Sequence, residues 1–302
     1  MSKHKKQHYV PRGYLSAWVD PETPIDHEPY VWVFPKDGGA GRKKAPKNIF
    51  WEGDMYTISV PGGGRDLRLE HGLQSLETEF ERVRRSILAG VEWSDDHHAI
   101  VCAFAAALHA RTASQRDHIA SQWREVHEMM MEMDRHFRAM TPEEISNLPP
   151  TVPASGASIS MEEVEELATQ PMQTTLASAI EASAPIIASM TLTLAWTDDD
   201  QGFITSDAPC VFFDPDVHTR PFPYNNIGFA YKTLEISVPL CPRVCALFTW
   251  QDIPPRLDVS GRGVAEFNRR TRFGSHTEFV NTRDEVDPYW FDRRLDLAPR
   301  SG

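Results

Sequence analysis

Thr191-Leu192-Thr193-Leu194-Ala195-Trp196, then Asp198-Asp199-Asp200-Gln201-Gly202, then Phe203-Ile204-Thr205-Ser206 is the stretch where this chain changes character. β-rich runs on both sides of an Asp- and Gly-rich turn form a hairpin signal. Further β runs follow at 234–238 and 244–250, and a final helix near Gly263 to Arg272 leads into Glu278-Phe279-Val280. Upstream of Met190 the chain reads mainly as helix. In Leu69, Leu73, Leu76, Phe80, Val83 and Ile87 an apolar residue recurs at steps of four and three, the spacing of one helical face. Ser94 reads as an N-cap with Asp95 and Asp96 at the positive end of the next helix, and helical composition continues to about Met140. Thr141-Pro142-Glu143-Glu144 and Ser160-x-x-Glu163 open further helices with capping boxes, the second interrupted at Pro171 and Pro185.

The first sixty residues form a small β unit: Tyr30 to Phe34 and Met55 to Val60 are β-rich and bounded by Pro, Gly and Asp. The expected fold class is therefore α+β, a helical middle section packed with a small N-terminal β unit and a mostly antiparallel C-terminal sheet. One domain is expected over 1–302, with 148–160, rich in Pro, Ser and Ala, as an internal loop or linker.

Composition narrows the function classes. Apolar residues make up 41% and charged residues 25%, ordinary values for a chain with a packed core. No apolar run approaches the ~20 residues of a membrane helix, so the expectation is a soluble, cytoplasmic protein with no membrane partner. Pro61-Gly62-Gly63-Gly64 reads as a turn and lacks the Lys-Ser/Thr of a phosphate loop. Cys241 and Cys245 read as small apolar residues on one strand face. Asp95-Asp96-His97-His98 reads as a helix start, because adjacent helical side chains diverge. No metal and no cofactor are expected. A net charge of −12 argues against general DNA binding, which rests on phosphate neutralisation. Lys3, Lys5 and Lys6, and Arg42, Lys43, Lys44 and Lys47, remain as local basic clusters, readable as solvated loops or as phosphate contacts.

Four polar residues stand where packing favours apolar ones. Arg111 extends the face of Phe104 and Leu108, and an inward guanidinium requires a carboxylate or an anionic ligand. Glu77 sits at the edge of its helix's apolar stripe, between Leu73 and Phe80, and is the first candidate partner. Asn268 shares a face with Val264, Phe267 and Thr271. Asp207 ends a strand just before Pro209, where the chain must turn. Each also has a structural reading: an internal ion pair for Arg111 with Glu77, a loop cap for Asn268, an Asx-turn for Asp207.

Gln7-His8-Tyr9-Val10-Pro11-Arg12-Gly13-Tyr14-Leu15, with Phe203-Ile204-Thr205-Ser206-Asp207-Ala208-Pro209 far downstream, resembles the bacterial family called domain of unknown function 4238. Gly53-Asp54-Met55-Tyr56, Leu76-Glu77, Arg111, Pro239-Leu240 and Asn268 support the resemblance, which spans His8 to about Val280. Ala208 stands where the family pattern has Asn, so it supplies no side-chain contact. The resemblance implies an association with genomic islands and phage defence.

From these residues the expected activity is a metal-independent hydrolase acting on nucleic acid or nucleotide. Most concretely, it is a DNA glycosylase-like cleaver of N-glycosidic bonds in antiviral defence. Asp207 would position water, with Asn268 orienting it, His8 as acid and Glu77 beside them. Arg111 and Arg12 would hold phosphate, with Tyr14 and Ser206 also contacting substrate. The partner would be nucleic acid. One alternative is a metal-dependent nuclease or phosphohydrolase using Asp54, Glu77 and Asp207; another is a non-catalytic ligand-sensing or partner-binding module. On the catalytic reading, Asp207→Asn leaves stability within about 1 kcal/mol.

Overall fold

The computed structural model describes residues 6–60, 62, 64–148 and 159–292. Lys3, Lys5, Pro61, Gly63 and most of the 148–160 stretch, discussed above, lie outside them. The N-terminal part holds β1 (Lys6–His8), a four-residue helix α1 (Arg12–Leu15), β2 (Val31–Pro35), β3 (Arg42–Lys44), β4 (Trp51–Gly53), β5 (Ile58–Val60) and β6 (Gly64–Asp66). The helical middle comprises α2 (Arg68–Leu88), α3 (Asp95–Ala110), α4 (Ala113–Ala139), α5 (Pro142–Ser146), α6 (Met161–Thr169) and α7 (Pro171–Ala188). Strands β7 (Thr191–Trp196), β8 (Thr205–Ser206), β9 (Val211–Phe213), β10 (Glu235–Cys241), β11 (Val244–Thr249) and β12 (Arg256–Asp258) come next. Helix α8 (Gly261–Gly274) and β13 (Glu278–Asn281) follow. The class is α+β.

Local chemistry explains the helix ends. Ser94, Thr141 and Ser160 each accept a hydrogen bond from the backbone N–H three residues on, and the last two complete capping boxes with Glu144 and Glu163. Pro171 does not interrupt a helix but starts one, in the first turn where its missing N–H costs nothing. Pro185 lies inside α7. On α2 the stripe read from sequence turns inward, with Leu73, Phe80, Val83 and Ile87 buried. Phe80 stacks on Phe104 of α3 at 3.6 Å between ring centroids.

Two larger sheets take up most of the strands. One has five strands in the order β12-β7-β11-β10-β9, antiparallel except for β12 beside β7. The other, β3-β2-β13-β8, joins the N-terminal β unit to the C-terminal region. The expected hairpin between Thr191–Trp196 and 203–206 does not form: β7 pairs with β11 and β12, whereas β8 pairs with β13. The diversion has a visible cause at Gly202, whose φ of 61° suits a residue without Cβ. A Cβ there would also meet the Pro242 carbonyl oxygen at 2.6 Å. Past the turn, Asn268 takes the backbone groups that a β7 partner would have used, accepting from Ile204 N at 2.9 Å and donating to Gly202 O at 2.8 Å.

Cys241 and Cys245 also differ from the sequence reading, since they sit on the adjacent strands β10 and β11. Both are buried free thiols. The basic run Arg42-Lys43-Lys44 is an edge strand rather than a loop, and its charges are largely engaged. Arg42 pairs with Glu278, Lys47 nearby pairs with Glu28, and the Lys43 ammonium lies 4.5 Å from the Tyr30 ring centroid and 5.0 Å from that of Trp32. No described helix is long and apolar enough to cross a membrane.

The N-terminal motif docks on the C-terminal strands. Tyr14, 1% exposed, has its hydroxyl 2.7 Å from both Thr205 Oγ1 and the Pro239 carbonyl oxygen, and Trp18 Nε1 donates to Phe203 O. Arg84 of α2 donates to the carbonyls of Gly13 and Tyr14, so α1 is held between α2 and the strands. One apolar cluster accordingly runs from Val10 through the helices to Val280. Tyr14→Phe leaves the Pro239 carbonyl without its donor, and an orphaned buried group costs ~1–3 kcal/mol. Urea unfolding is expected to show that loss; a variant as stable as the wild type contradicts the bridge.

Candidate functional site

Strand β1 pairs antiparallel with β4, placing Gln7 opposite Glu52 and His8 opposite Trp51. Pro11 then bends the chain into α1. Between this arm and α2 lies a cleft of about 360 Å³, lined by His8, Arg12 and Glu77 together with Lys6, Gln7 and Tyr56. Glu70 and Gln74 of α2 contribute as well. Their positions, 70, 74 and 77, fall at steps of four and three, so α2 carries a polar face beside its apolar one.

Arg111 does not line the cleft but stands behind its wall, bonded to Glu77. It terminates α3 as the residue after Ala110, is 1% exposed, and donates from Nη1 to Glu77 Oε1 at 2.8 Å. The Tyr56 hydroxyl lies 3.5 Å from the Arg111 carbonyl oxygen. Neither Nε nor Nη2 of Arg111 has a hydrogen-bond partner among the described residues, and the same holds for His8 Nε2. All three are buried atoms.

His8 is held below its ordinary pKa of 6.5, chiefly by burial and then by the positive charges of Arg12, Lys6 and Arg111; a hydrogen bond with the Lys47 backbone opposes them. The ring is therefore neutral at pH 7. Since Nε2 is the nitrogen without a partner, it is the one left to meet a ligand. The cleft thus combines a neutral imidazole, a carboxylate clamped by a buried arginine, and exposed positive charge from Arg12 and Lys6 at its rim.

The second half of the anticipated constellation is elsewhere and otherwise engaged. Asp207 is 2% exposed and both of its oxygens are taken. Oδ1 accepts from His276 N at 2.7 Å; Oδ2 accepts from Thr277 N at 2.7 Å, Thr277 Oγ1 at 2.8 Å and Glu278 N at 3.0 Å. It caps the turn from α8 into β13 and does not project beyond the sheet. Asn268 is the backbone clamp described above. Ser206 Oγ accepts from Ala208 N at 3.1 Å, and Tyr14 bridges α1 to the strands. None of these four residues lines the cleft. Asp207 is nonetheless close enough to the arm for its charge, after burial, to help push the Tyr9 phenol upward. Nor do Asp54, Glu77 and Asp207 gather as metal ligands. Asp54 pairs with Arg65, and among the described residues no group of His, Cys, Asp and Glu is arranged to hold a metal ion.

The family model described as "Protein of unknown function (DUF4238)" matches residues 6–285. The chain belongs to the DUF4238 family. No curated protein and no solved structure matches it. The two motifs that carry the DUF4238 resemblance meet in space where Tyr14 bonds Thr205, but only the first of them reaches the cleft.

Asp207→Asn turns one acceptor into a donor facing backbone N–H groups. Charge-assisted bonds of this kind contribute ~1.5–3 kcal/mol each, so urea denaturation is expected to register a loss of about 3 kcal/mol or more, not the 1 kcal/mol of a free turn residue. Arg111→Ala is expected to cost ~2–4 kcal/mol, near the low end for a broken buried pair because Glu77 keeps some access to water. Wild-type stability in either variant removes the role assigned to that residue.

Proposed function

We propose that the cleft between the N-terminal arm and α2 is the active site of a hydrolase acting on a nucleotide-class N-glycoside without a metal ion. The observation that carries this reading is the pairing, in one cleft, of a neutral His8 with an unpartnered Nε2 and the Glu77 carboxylate. A volume of about 360 Å³ is at the lower end of small-ligand sites, which run about 300–1,000 Å³, and suits a single nucleotide or one extruded nucleotide unit.

The chemistry follows from the charges. Hydrolysis of an N-glycoside passes through a centre that develops positive charge at C1′, as in other glycosyl transfers. A carboxylate facing the cleft stabilises that charge. His8 Nε2 takes a proton from water as the water oxygen bonds to C1′. The C1′–N bond breaks, its electron pair leaves with the base, and the base nitrogen takes up a proton. Arg111 orients the Glu77 carboxylate beside the sugar. Asp207 and Asn268 support the scaffold in this account. A place in antiviral defence, inside a bacterial cell, is consistent with a nucleotide or nucleic-acid substrate.

Released base is measured by chromatography after incubation with nucleotides and with phage DNA, in the presence of EDTA. The wild type is expected to release base. His8→Asn and Glu77→Gln, each checked for folding by its melting curve, are expected to fall ~100-fold or more, the scale of a lost acid–base or electrostatic group. Because a depressed histidine pKa leaves the ring neutral above that pKa, kcat/KM should stay level at neutral pH. It should drop on acidification at a pH below 6.5, with His8→Asn lacking that limb. No release from any substrate, or full activity in both variants, contradicts the proposal.

A further inference from the structure

A guanidinium presents two kinds of edge to an acceptor. The side formed by Nε and Nη2 offers two parallel N–H donors that match two oxygens of one oxyanion. In Arg111 this edge is buried and has no acceptor among the described residues, while Nη1 is committed to Glu77. Stability does not explain the arrangement. Two buried, unsatisfied donors on a residue 1% exposed are destabilising, and a single bond to Glu77 leaves most of the fork idle.

Arg111 does not itself line the cleft but stands behind the wall to which Glu77 and Tyr56 contribute. Glu77, Tyr56 and His8 each contact Arg111 or feel its charge, and all three line the cleft. Lys6, Arg12 and Arg111 outweigh Glu70 and Glu77 by one positive charge, so the sign of the field favours an anion.

We infer that the Nε–Nη2 edge of Arg111 forms a seat for a terminal phosphate, so that the cleft takes nucleoside monophosphates in preference to nucleosides. The inference rests on the cleft being the functional site and assigns which end of the ligand Arg111 reads. Arg111 is a binding residue in this account and Glu77 the residue beside the reacting carbon. The two parts of the ligand are therefore held on opposite sides of one ion pair.

Titration calorimetry with inorganic phosphate, adenosine monophosphate and adenosine tests the seat. Wild-type protein is expected to bind phosphate saturably and to bind the monophosphate at least about tenfold more tightly than adenosine, the scale of one bidentate charged contact. Arg111→Lys retains the charge and the reach to Glu77 but has no fork, and is expected to lose that preference while remaining folded. Where Arg111→Lys does not fold, the imidazole NMR signal of wild-type His8 serves instead: phosphate is expected to shift it and to leave that of His109 in place. Glu77→Gln separates the seat from the chemistry. It is expected to bind phosphate as tightly as wild type or more so while releasing no base. Equal affinity for the monophosphate and adenosine, an unshifted His8, or undiminished preference in Arg111→Lys overturns the seat. Phosphate binding with no base release in the wild type leaves the seat standing and defeats the hydrolase reading.

Discussion

Burying the charge of Arg111 is the constraint on which the cleft depends. An arginine 1% exposed needs a counter-charge, and the Glu77 carboxylate meets it at 2.8 Å across the α2–α3 contact. The pair fixes the rotation of α2 about its axis. With Leu73, Phe80, Val83 and Ile87 turned into the core, Glu70, Gln74 and Glu77 turn toward the arm. The arm is held by its own contacts: β1 pairs with β4, Gln7 Nε2 donates to Thr57 Oγ1 and Glu70 Oε2, and Tyr14 ties α1 to the strands. The cleft is what remains between two elements that are each positioned for other reasons. Its polar lining is then free to be chosen for chemistry.

Local rules read much of this from the sequence. Periodicity placed the α2 stripe, capping signals placed the starts of α3, α5 and α6, and helical phase brought Arg111 to Glu77. These features depend on residues three or four apart, or on one helix face meeting the next. The hairpin and the role of Asp207 were misread for one shared reason. Both turn on partners some seventy residues away: Asn268 claims the backbone at 202–204, and the backbone at 276–278 claims the Asp207 carboxylate. No periodicity in the 198–209 stretch carries that information. Lys6 is legible only as part of a basic cluster and Gln7 and Tyr56 only within the resemblance motifs, while Glu70 and Gln74 carry no mark, although the 70, 74, 77 spacing on α2 is available as a signal.

Scaffold and cleft divide between the two end motifs of the DUF4238 chain. The downstream motif is consumed by scaffolding: Thr205, Ser206 and Asp207 all spend their side chains on nearby structure. The upstream motif is split along its length. Tyr14 and Trp18 face the core, whereas His8 and Arg12 face the cleft. The split follows the backbone: His8 ends β1, whereas Arg12 and Tyr14 lie on α1 beyond the bend at Pro11 and take different faces of that helix.

A crystal structure of Glu77→Gln in complex with a nucleoside monophosphate tests the central claim most directly, since under the proposed reading that variant keeps the seat and loses the group beside C1′. The account predicts the phosphate against Nε and Nη2 of Arg111, with C1′ lying between His8 and residue 77. A nucleotide bound away from the arm–α2 cleft, or one seated there with its base against Arg111 and its phosphate in solvent, would contradict it.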